Sequence, residues 1–233
     1  MPIDPSYITP SESDIDFLKT HDQRVEIENT PLFKKYNAYF KMGLAGTIEN
    51  MFIRKAILDK LNNLENLLAP KYSFLVFDAF RSLEAQMALF DLFKDEIRKS
   101  KPGLTEEQIT EEAAVFVAHP DFRPTYSALP HNTGGAIDLA LCHRDSGEIL
   151  EFGCEFDNPT DLASTKFFEA PFDPKHGISE QVWMEARVNR RILFNLLIPL
   201  GFANYSAEWW HFNMGDSSWG TQVGCKWSYG SME

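Results

Sequence analysis

The chain has 233 residues, of which 44% are hydrophobic, and this size and composition suit one well-packed domain. It carries 22 Lys and Arg residues against 34 Asp and Glu residues, for a formal net charge of −12. An acidic chain without a basic cluster is a poor candidate for binding nucleic acid or an anionic membrane, so we expect neither partner.

The sequence contains no apolar run of about 18 residues, the length that would predict a transmembrane helix. Residues 1–20 lack the basic and apolar regions of a secretory signal. We therefore expect a cytoplasmic protein; the periplasm is the alternative if a signal has been removed. Cys142, Cys154 and Cys225 are widely spaced, which favours free thiols in a reducing compartment. Whether the chain forms homo-oligomers stays open.

The first third of the chain predicts wrapping segments, one helix and one strand. Residues 1–48 are polar and contain prolines and aromatic side chains, so we expect strands and loops that cover the core. Residues 51–68 repeat apolar side chains at spacings of three and four, which predicts an amphipathic helix that ends before Pro70. Residues 72–80, YSFLVFDAF, predict a buried strand.

Two helices and a loop follow. Ser82 is the predicted N-cap of a helix that runs to about Lys99. Thr105 and Gln108 form a capping box at the start of the next helix. Residues 119–131, HPDFRPTYSALPH, contain three prolines and predict an irregular loop.

The last part of the chain decides the fold class. GGAIDLAL and EILEFG flank CHRDSG, which predicts two strands joined by a turn. Residues 179–199 predict a long helix with Ser179 as its N-cap and Pro199 as its end, and GFANYSAEWWHF predicts a turn and a final core strand. Because strands and helices do not alternate regularly, we predict an α+β fold with a central antiparallel sheet flanked by helices.

His131 and Asp138 form the first group of residues with chemical potential. The glycine pair 134–135 between them allows a sharp turn from a loop into a strand. Asp138 lies within the apolar stretch AIDLAL, where an unpaired buried charge is costly and a metal ion or another cation is the usual partner. The alternative is that Asp138 points outward from an edge strand, because alternate residues of a strand face opposite sides.

A second group lies in AEWWHFNMG, where Glu208 precedes His211 by three residues. Together with His131 and Asp138, His211 gives two imidazoles and one carboxylate, the ligand set of a catalytic zinc site that keeps a fourth position for water. Glu208 is then the candidate general base. Residues three apart face opposite sides of a flat strand, so the backbone at residues 209–210 must turn if both side chains face one ion.

Arg81 ends the apolar strand in VFDAFRS. Its guanidinium stays protonated, and two roles are open to it. It can pair with Asp78 in a structural salt bridge, or it can face the metal and stabilise an oxyanion formed when water attacks a carbonyl.

These motifs resemble those of the VanX-type D-alanyl-D-alanine dipeptidases, and more broadly the zinc D,D-peptidases with the pattern H-x-x-G-x-A-V/I-D followed by E-x-x-H. Residues 131–138 match the first element and residues 208–211 the second. VFDAFRS is similar to the family's arginine-bearing segment, which implies a catalytic role for Arg81. FGCEFD is similar to the family's MGTxFD segment, which implies that Asp157 binds the free amine of the substrate.

The resemblance also implies a fold, a cofactor and a reaction. It implies the zinc D,D-peptidase or hedgehog-like scaffold in one domain over residues 1–233, with an N-terminal wrapping segment and helix in 1–70 and a catalytic core in 71–215. One Zn²⁺ per chain is expected on His131, Asp138 and His211. The expected reaction is hydrolysis of a small D-amino-acid dipeptide, D-alanyl-D-alanine first among them, by metal-activated water.

The chain departs from the family pattern at several positions. Leu129 stands where the family often has serine, with Ser127 nearby, and Cys154 stands where threonine is typical. The alternative enzyme is therefore a D,D- or L,D-carboxypeptidase or endopeptidase that acts on peptidoglycan stem peptides. A zinc-binding module without catalysis is a further alternative, but such a module needs neither Glu208 nor Arg81. A plain globular protein without a metal would require all these motifs to coincide by chance.

Overall fold

The structure is a computed structural model that describes residues 1–119 and 128–233. Its centre is a five-stranded sheet in which the pair of strands at one edge is parallel and the other neighbouring pairs are antiparallel. The predicted α+β class with a central, mainly antiparallel sheet is therefore confirmed. In order across the sheet, the strands are β2 (Phe33–Lys35), β4 (Tyr72–Asp78), β5 (Ala136–His143), β7 (His211–Asn213) and β6 (Ala203–Asn204).

The prediction of one helix over residues 51–68 was wrong at its start and middle. Met51–Arg54 form a strand, β3, which pairs with β1 (Arg24–Ile27) in a separate antiparallel sheet. The helical part is split into α3 (Lys55–Asn62) and α4 (Glu65–Leu68). In β3 the first and third residues are buried and the other two half-buried, so this short segment also satisfies the period of a strand, and pairing with β1 decides the outcome.

The helices with capping signals were predicted well. Ser82 caps α5 (Leu83–Ser100) by accepting the backbone N–H of Ala85 at 3.1 Å. Thr105 and Gln108 form the predicted capping box at the start of α6 (Glu106–Phe116). Apolar side chains of α5 and α6 pack on each other and form a second buried cluster beside the main core. The remaining short helices before this region are α1 (Glu12–Thr20) and α2 (Ala38–Lys41).

The predicted proline-rich loop is described only at its ends, because residues 120–127 lie outside the described part of the chain. Its last residues form a short helix, α7 (Pro130–Thr133), which ends at Gly134 with φ of 71°. The left-handed conformation suits glycine and lets the chain enter β5 directly. Arg54 holds this turn in place because its Nε donates to the carbonyl oxygen of Thr133 at 2.8 Å.

The hairpin predicted after β5 forms only in part. Within the described residues, the returning segment makes a single bridge between Cys142 and Ile149 and then leaves the sheet. The ring of Phe152 stacks on Trp209, with centroids 4.1 Å apart. The segment that follows runs as an irregular loop.

The long helix was predicted correctly. α8 (Glu180–Leu197) has Ser179 as its N-cap and passes into a 3₁₀ turn that contains Pro199. The last helix, α9 (Ser217–Val223), is capped by Asp216. Among the described residues, no helix is long and apolar enough to cross a membrane. The single-domain division of the chain stays a prediction.

Candidate functional site

Three buried side chains that could hold a metal ion meet where α7, β5 and β7 come together. Asp138 and His211 are directly opposed residues of the antiparallel β5–β7 pair, and His131 projects from α7. His211 Nδ1 lies 3.0 Å from Asp138 Oδ1 and 3.2 Å from His131 Nε2. His131 Nε2 lies 3.4 Å from Asp138 Oδ2. The structure thus brings the three predicted ligands together.

The chemistry of this set fits zinc. A tetrahedral site with bonds of about 2.0–2.1 Å separates its ligands by about 3.4 Å, close to the distances found here. His131 Nδ1 lies 2.6 Å from the carbonyl oxygen of Ala79, so this nitrogen carries the proton and Nε2 presents a lone pair to the cluster. Two imidazoles and a carboxylate this close need a proton or a cation between them.

The pKa values of the cluster follow from its mutual charges. Burial alone would raise the pKa of Asp138, but the neighbouring His131 and His211 outweigh it and hold that pKa well below its usual range. Burial tends to lower the pKa of His131, but the negative charge of Asp138 raises it above its ordinary value. The carboxylate of Asp138 therefore favours the protonated form of the His131 imidazole. A metal ion must displace that proton.

Glu208 reaches the same cluster because the chain turns at the two tryptophans. Tyr205 and Glu208 first close a turn, and the N–H of His211 then donates to the carbonyl oxygen of Glu208 at 3.4 Å. Glu208 Oε2 consequently lies 3.9 Å from His211 Nδ1. The predicted departure from a flat strand is confirmed. Trp209 and Trp210 are buried, so they also belong to the core.

The half-buried Glu208 carboxyl has a raised pKa. Burial raises the pKa of Glu208 to about 7, and the carboxylates of Asp138 and Asp157 add to this, while His211 and Arg81 oppose it. A carboxyl group with a pKa near neutrality can both take up and return a proton at physiological pH. This is the property that a general base beside a metal site requires.

Arg81 forms a salt bridge with Asp78 and also borders the ligand cluster. Its Nε and Nη2 lie 2.9 and 2.7 Å from Asp78 Oδ2, which makes the salt bridge. Its Nη2 also lies 3.8 Å from Asp138 Oδ2, so the guanidinium borders the ligand cluster. Its Nη1 donates to Gln86 Oε1 at 3.1 Å, and the whole side chain is buried. The neighbouring carboxylates raise its pKa further despite burial, so it is a fixed cation.

Asp157 lines the same cavity of about 790 Å³ as Arg81, Glu208 and the three ligands. Its backbone is left-handed, with φ of 61°, in a loop that follows Phe152. Burial raises the pKa of Asp157 to about 7, although a hydrogen bond from Tyr39 and the charge of Arg81 oppose the rise. A carboxylate in this position is placed to meet an ammonium group inside the cavity.

Two supporting residues, Tyr39 and Gln86, had no role assigned from the sequence, and a third, Asp78, makes more contacts than the salt bridge expected of it. The ring of Tyr39 lies 4.7 Å from the Arg81 guanidinium, and its hydroxyl faces Arg81 Nη2 at 3.5 Å. Asp78, considered only as a salt-bridge partner, also lies 3.4 Å from His131 Nδ1. Gln86 joins Arg81 to the carbonyl oxygen of Ala118. Only Asp78 had a signal in the sequence, as a carboxylate at the end of a buried strand.

Two departures from the family pattern can be located. Leu129 is buried at the N-cap position of α7 and lines the cavity, so this part of the wall is apolar where a hydroxyl was expected. Ser127 lies outside the described residues. The Sγ atom of Cys154 lies 3.5 Å from Arg190 Nη2, outside the ligand cluster.

Comparison with known families decides what kind of protein this is. The profile of Peptidase_M15, described as D-ala-D-ala dipeptidase, matches residues 49–226, which include every candidate site residue. The chain belongs to this family. It is therefore a metallopeptidase, and the resemblance drawn from the sequence motifs is confirmed.

Several relatives of this family carry the same name. A D-alanyl-D-alanine dipeptidase from Synechocystis is 27% identical over 180 residues, which cover 73% of this chain and 72% of the relative. One from Enterococcus faecium is 33% identical over 86 residues, which cover 37% of each chain. One from Escherichia coli is 32% identical over 84 residues, 36% of this chain and 37% of the relative.

A solved structure also matches at low similarity. It is a variant of the vancomycin resistance D,D-pentapeptidase VanY in complex with Zn(II), with 16% sequence identity and a TM-score of 0.39. The match covers 79% of this chain and 85% of the other. A likeness this weak adds nothing to the family assignment.

Proposed function

We propose that this protein hydrolyses D-alanyl-D-alanine with a metal-activated water, as a zinc dipeptidase. The single observation that carries the proposal is the buried cluster of His131, Asp138 and His211 with Glu208 beside it and Arg81 against it. The family description and the names of the relatives support the same substrate. A site built only for structure would need neither an open cavity nor a base of shifted pKa.

The side chains have separate roles in the proposed reaction. His131, Asp138 and His211 would hold the Zn²⁺, which supplies an activated water and polarises the scissile carbonyl when it is bound. Glu208 takes the proton from the attacking water and returns it to the leaving amine. Arg81 donates from its guanidinium to the oxyanion, and its bonds to Asp78 and Gln86 fix it in that direction.

Asp157 is the proposed anchor for the free amine of the substrate. An ammonium group that lies against it neutralises a carboxylate that burial otherwise disfavours. This pairing selects dipeptides, whose amine lies one residue from the scissile bond. In a chain-internal cut the corresponding nitrogen is an uncharged amide and leaves Asp157 without a partner.

Cleavage of peptidoglycan stem peptides by a carboxypeptidase or endopeptidase is the second candidate, and the size of the cavity allows it. The cavity of about 790 Å³ lies in the range of about 300–1,000 Å³ that is typical of sites for larger ligands. Space alone therefore permits a peptide longer than two alanines. The charge of Asp157 argues for a free amine within that space.

An amine-release assay tests both candidates with D-Ala-D-Ala, L-Ala-L-Ala, an N-acylated D-Ala-D-Ala and a stem pentapeptide, with and without a chelator. We expect release from D-Ala-D-Ala to be much the fastest, lost with the chelator and restored by Zn²⁺. Faster cleavage of the acylated substrate or the pentapeptide would favour the second candidate. Activity that survives complete removal of metal would contradict the proposed chemistry.

A further inference from the structure

A buried cation lies outside the ligand cluster. Arg190 projects from α8 and is 2% exposed. Within residues 1–119 and 128–233, no carboxylate lies at salt-bridge distance from it, and burial lowers its pKa although Cys154 and the more distant Glu151 oppose this. A buried guanidinium without a counter-ion is costly, and an apolar side chain would fill the same space at lower cost. Its presence therefore calls for a role that depends on its hydrogen bonds.

Those hydrogen bonds close one loop at both ends. Arg190 Nε donates to the carbonyl oxygen of Phe152 at 2.8 Å. At the other end, its Nη1 donates to the carbonyl oxygen of Ser164 and its Nη2 to that of Leu162, both at 2.7 Å. We call residues 152–164 the Asp157 loop. One planar guanidinium thus spans the two ends of the loop that presents Asp157 to the cavity.

The interior of the Asp157 loop contains no regular strand that could fix it. It has one 3₁₀ turn near its end and two left-handed residues, Gly153 with φ of 84° and Asp157 with φ of 61°. The ring of Phe168 occupies the space that a side chain at residue 153 would need, so the turn at this position requires glycine. Such a loop depends on bonds at its ends to keep Asp157 in one place.

The same guanidinium also touches the turn that carries the proposed base. Its Cζ lies 5.6 Å from the ring centroid of Trp209, the residue after Glu208. Trp209 donates its backbone N–H to the carbonyl oxygen of Ala163 at 2.9 Å, and its ring stacks on Phe152. The Asp157 loop and the Glu208 turn are therefore joined through one cluster around Arg190.

We infer that Arg190 is a positioning residue that sets the distance of Asp157 from the ligand cluster and so determines selectivity for a free substrate amine. The inference rests on the proposed dipeptidase function. A lysine in its place would keep the charge but could not reach both ends of the loop, because an ammonium is a point donor on a flexible stem. The positioning of Asp157 therefore depends on the planar guanidinium and its several N–H donors.

The test compares two substrates in Arg190→Lys and in the wild type. D-Ala-D-Ala has the free amine, and N-propionyl-D-alanine is the same molecule without it. We expect kcat/KM for D-Ala-D-Ala to fall about tenfold or more, mainly through KM, because small misplacements at a site can cost up to about 10²-fold. We expect kcat/KM for the propionyl analogue to fall far less, and the bound zinc to stay unchanged.

Arg191→Lys is the matched control. Arg191 is the next residue on the same helix, and its Nε and Nη2 donate to the carboxylate of Glu169 at 2.7 Å, away from the cavity. We expect this variant to keep the wild-type ratio of the two substrates. A second check is the double variant with Asp157→Asn, in which the loss from Arg190→Lys should disappear because its target is gone.

Each remaining outcome decides the question. Equal losses on both substrates, or unchanged selectivity, would overturn the positioning role. If Arg190→Lys does not fold, Arg190→Gln takes its place, and failure of both to fold would make Arg190 a requirement for folding instead. Wild-type protein that leaves D-Ala-D-Ala intact would contradict the dipeptidase function itself, whereas wild-type turnover with normal selectivity in the variant would contradict only this inference.

Discussion

At the scale of single residues, Glu208 is the side chain whose role can be separated most cleanly from metal binding. It lies 3.9 Å from His211 Nδ1 and is not one of the three ligands. We predict that Glu208→Gln retains one zinc per chain and loses about 10²–10⁴-fold in kcat, the usual contribution of a general base. Metal analysis and the amine-release assay on the same sample measure the two quantities.

His131→Ala is the counterpart of that variant. It removes a ligand whose ring is fixed by the carbonyl oxygen of Ala79, so we expect the zinc to be lost together with the activity. A fully active Glu208→Gln enzyme would refute the assignment of the base. A zinc-replete His131→Ala protein would refute the assignment of the ligand.

Arg81 allows a second prediction at this scale. Arg81→Lys keeps a positive charge but breaks the paired bonds to Asp78, so the remaining ammonium is no longer directed at the oxyanion. We predict a fall in kcat on the order of 10²–10³-fold, with a smaller change in KM, measured by steady-state kinetics on D-Ala-D-Ala. Arg144→Lys, at a pair with Glu65 away from the cavity, should leave both constants unchanged. A larger effect on KM than on kcat would assign Arg81 to substrate binding.

At the scale of elements, the Asp157 loop should give the enzyme a pH dependence. Burial raises the pKa of Asp157 to about 7, so the carboxylate forms as pH rises through that value. The substrate's α-amino group is protonated below about 7.7–8.0. The ion pair between them therefore exists in a window of about pH 7–8, and we predict that kcat/KM for D-Ala-D-Ala is highest there.

The pH profile must also be separated from that of Glu208, whose pKa burial raises to about 7. A bound Zn²⁺ favours the charged carboxylate and moves that pKa down. N-propionyl-D-alanine lacks the amine. Its kcat/KM should therefore still change with the ionisation of Glu208 but no longer with that of Asp157. Asp157→Asn should make the two profiles alike. Identical wild-type profiles for both substrates would contradict the proposed role of Asp157.

The elements also show what the sequence can and cannot predict. The N-caps of α5, α6 and α8 are Ser82, Thr105 and Ser179, and each side chain accepts a hydrogen bond from the backbone N–H three residues later. Such signals are local and are read directly from the sequence. The apolar residues of Met51–Arg54 fit both the spacing of a helix and the alternation of a strand. Only the pairing of this segment with the distant β1 makes it a strand.

The site likewise contains residues that the sequence predicts and residues that it does not. The ligands and the base lie in two short motifs, and the antiparallel pairing of β5 with β7 places them opposite each other. Tyr39 and Arg190 have no local signal, because their contacts with Arg81 and with the Asp157 loop join segments far apart in the sequence. Their roles come from tertiary packing, which a pattern in one segment does not record.

At the scale of the whole molecule, the ligand cluster joins the central sheet to α7. β5 and β7 supply one ligand each from the sheet, and α7 supplies the third from a short turn that Arg54 and Ala79 hold from outside the sheet. A bound ion therefore links the sheet to α7, and folding and metal affinity are coupled. Removal of the ion should loosen the whole molecule as well as stop the reaction.

Thermal unfolding with and without zinc measures that coupling. At free zinc about one hundred times Kd, binding adds about 2.7 kcal/mol, which in a chain of this length raises Tm by about 5–10 °C. The gain should shrink as pH falls, because Asp138 raises the pKa of His131 and the protonated imidazole competes with the metal. His131→Ala should show no zinc-dependent shift. A wild-type Tm that does not respond to zinc at neutral pH would mean that the cluster holds no ion in the folded protein, and the proposed chemistry would fall with it.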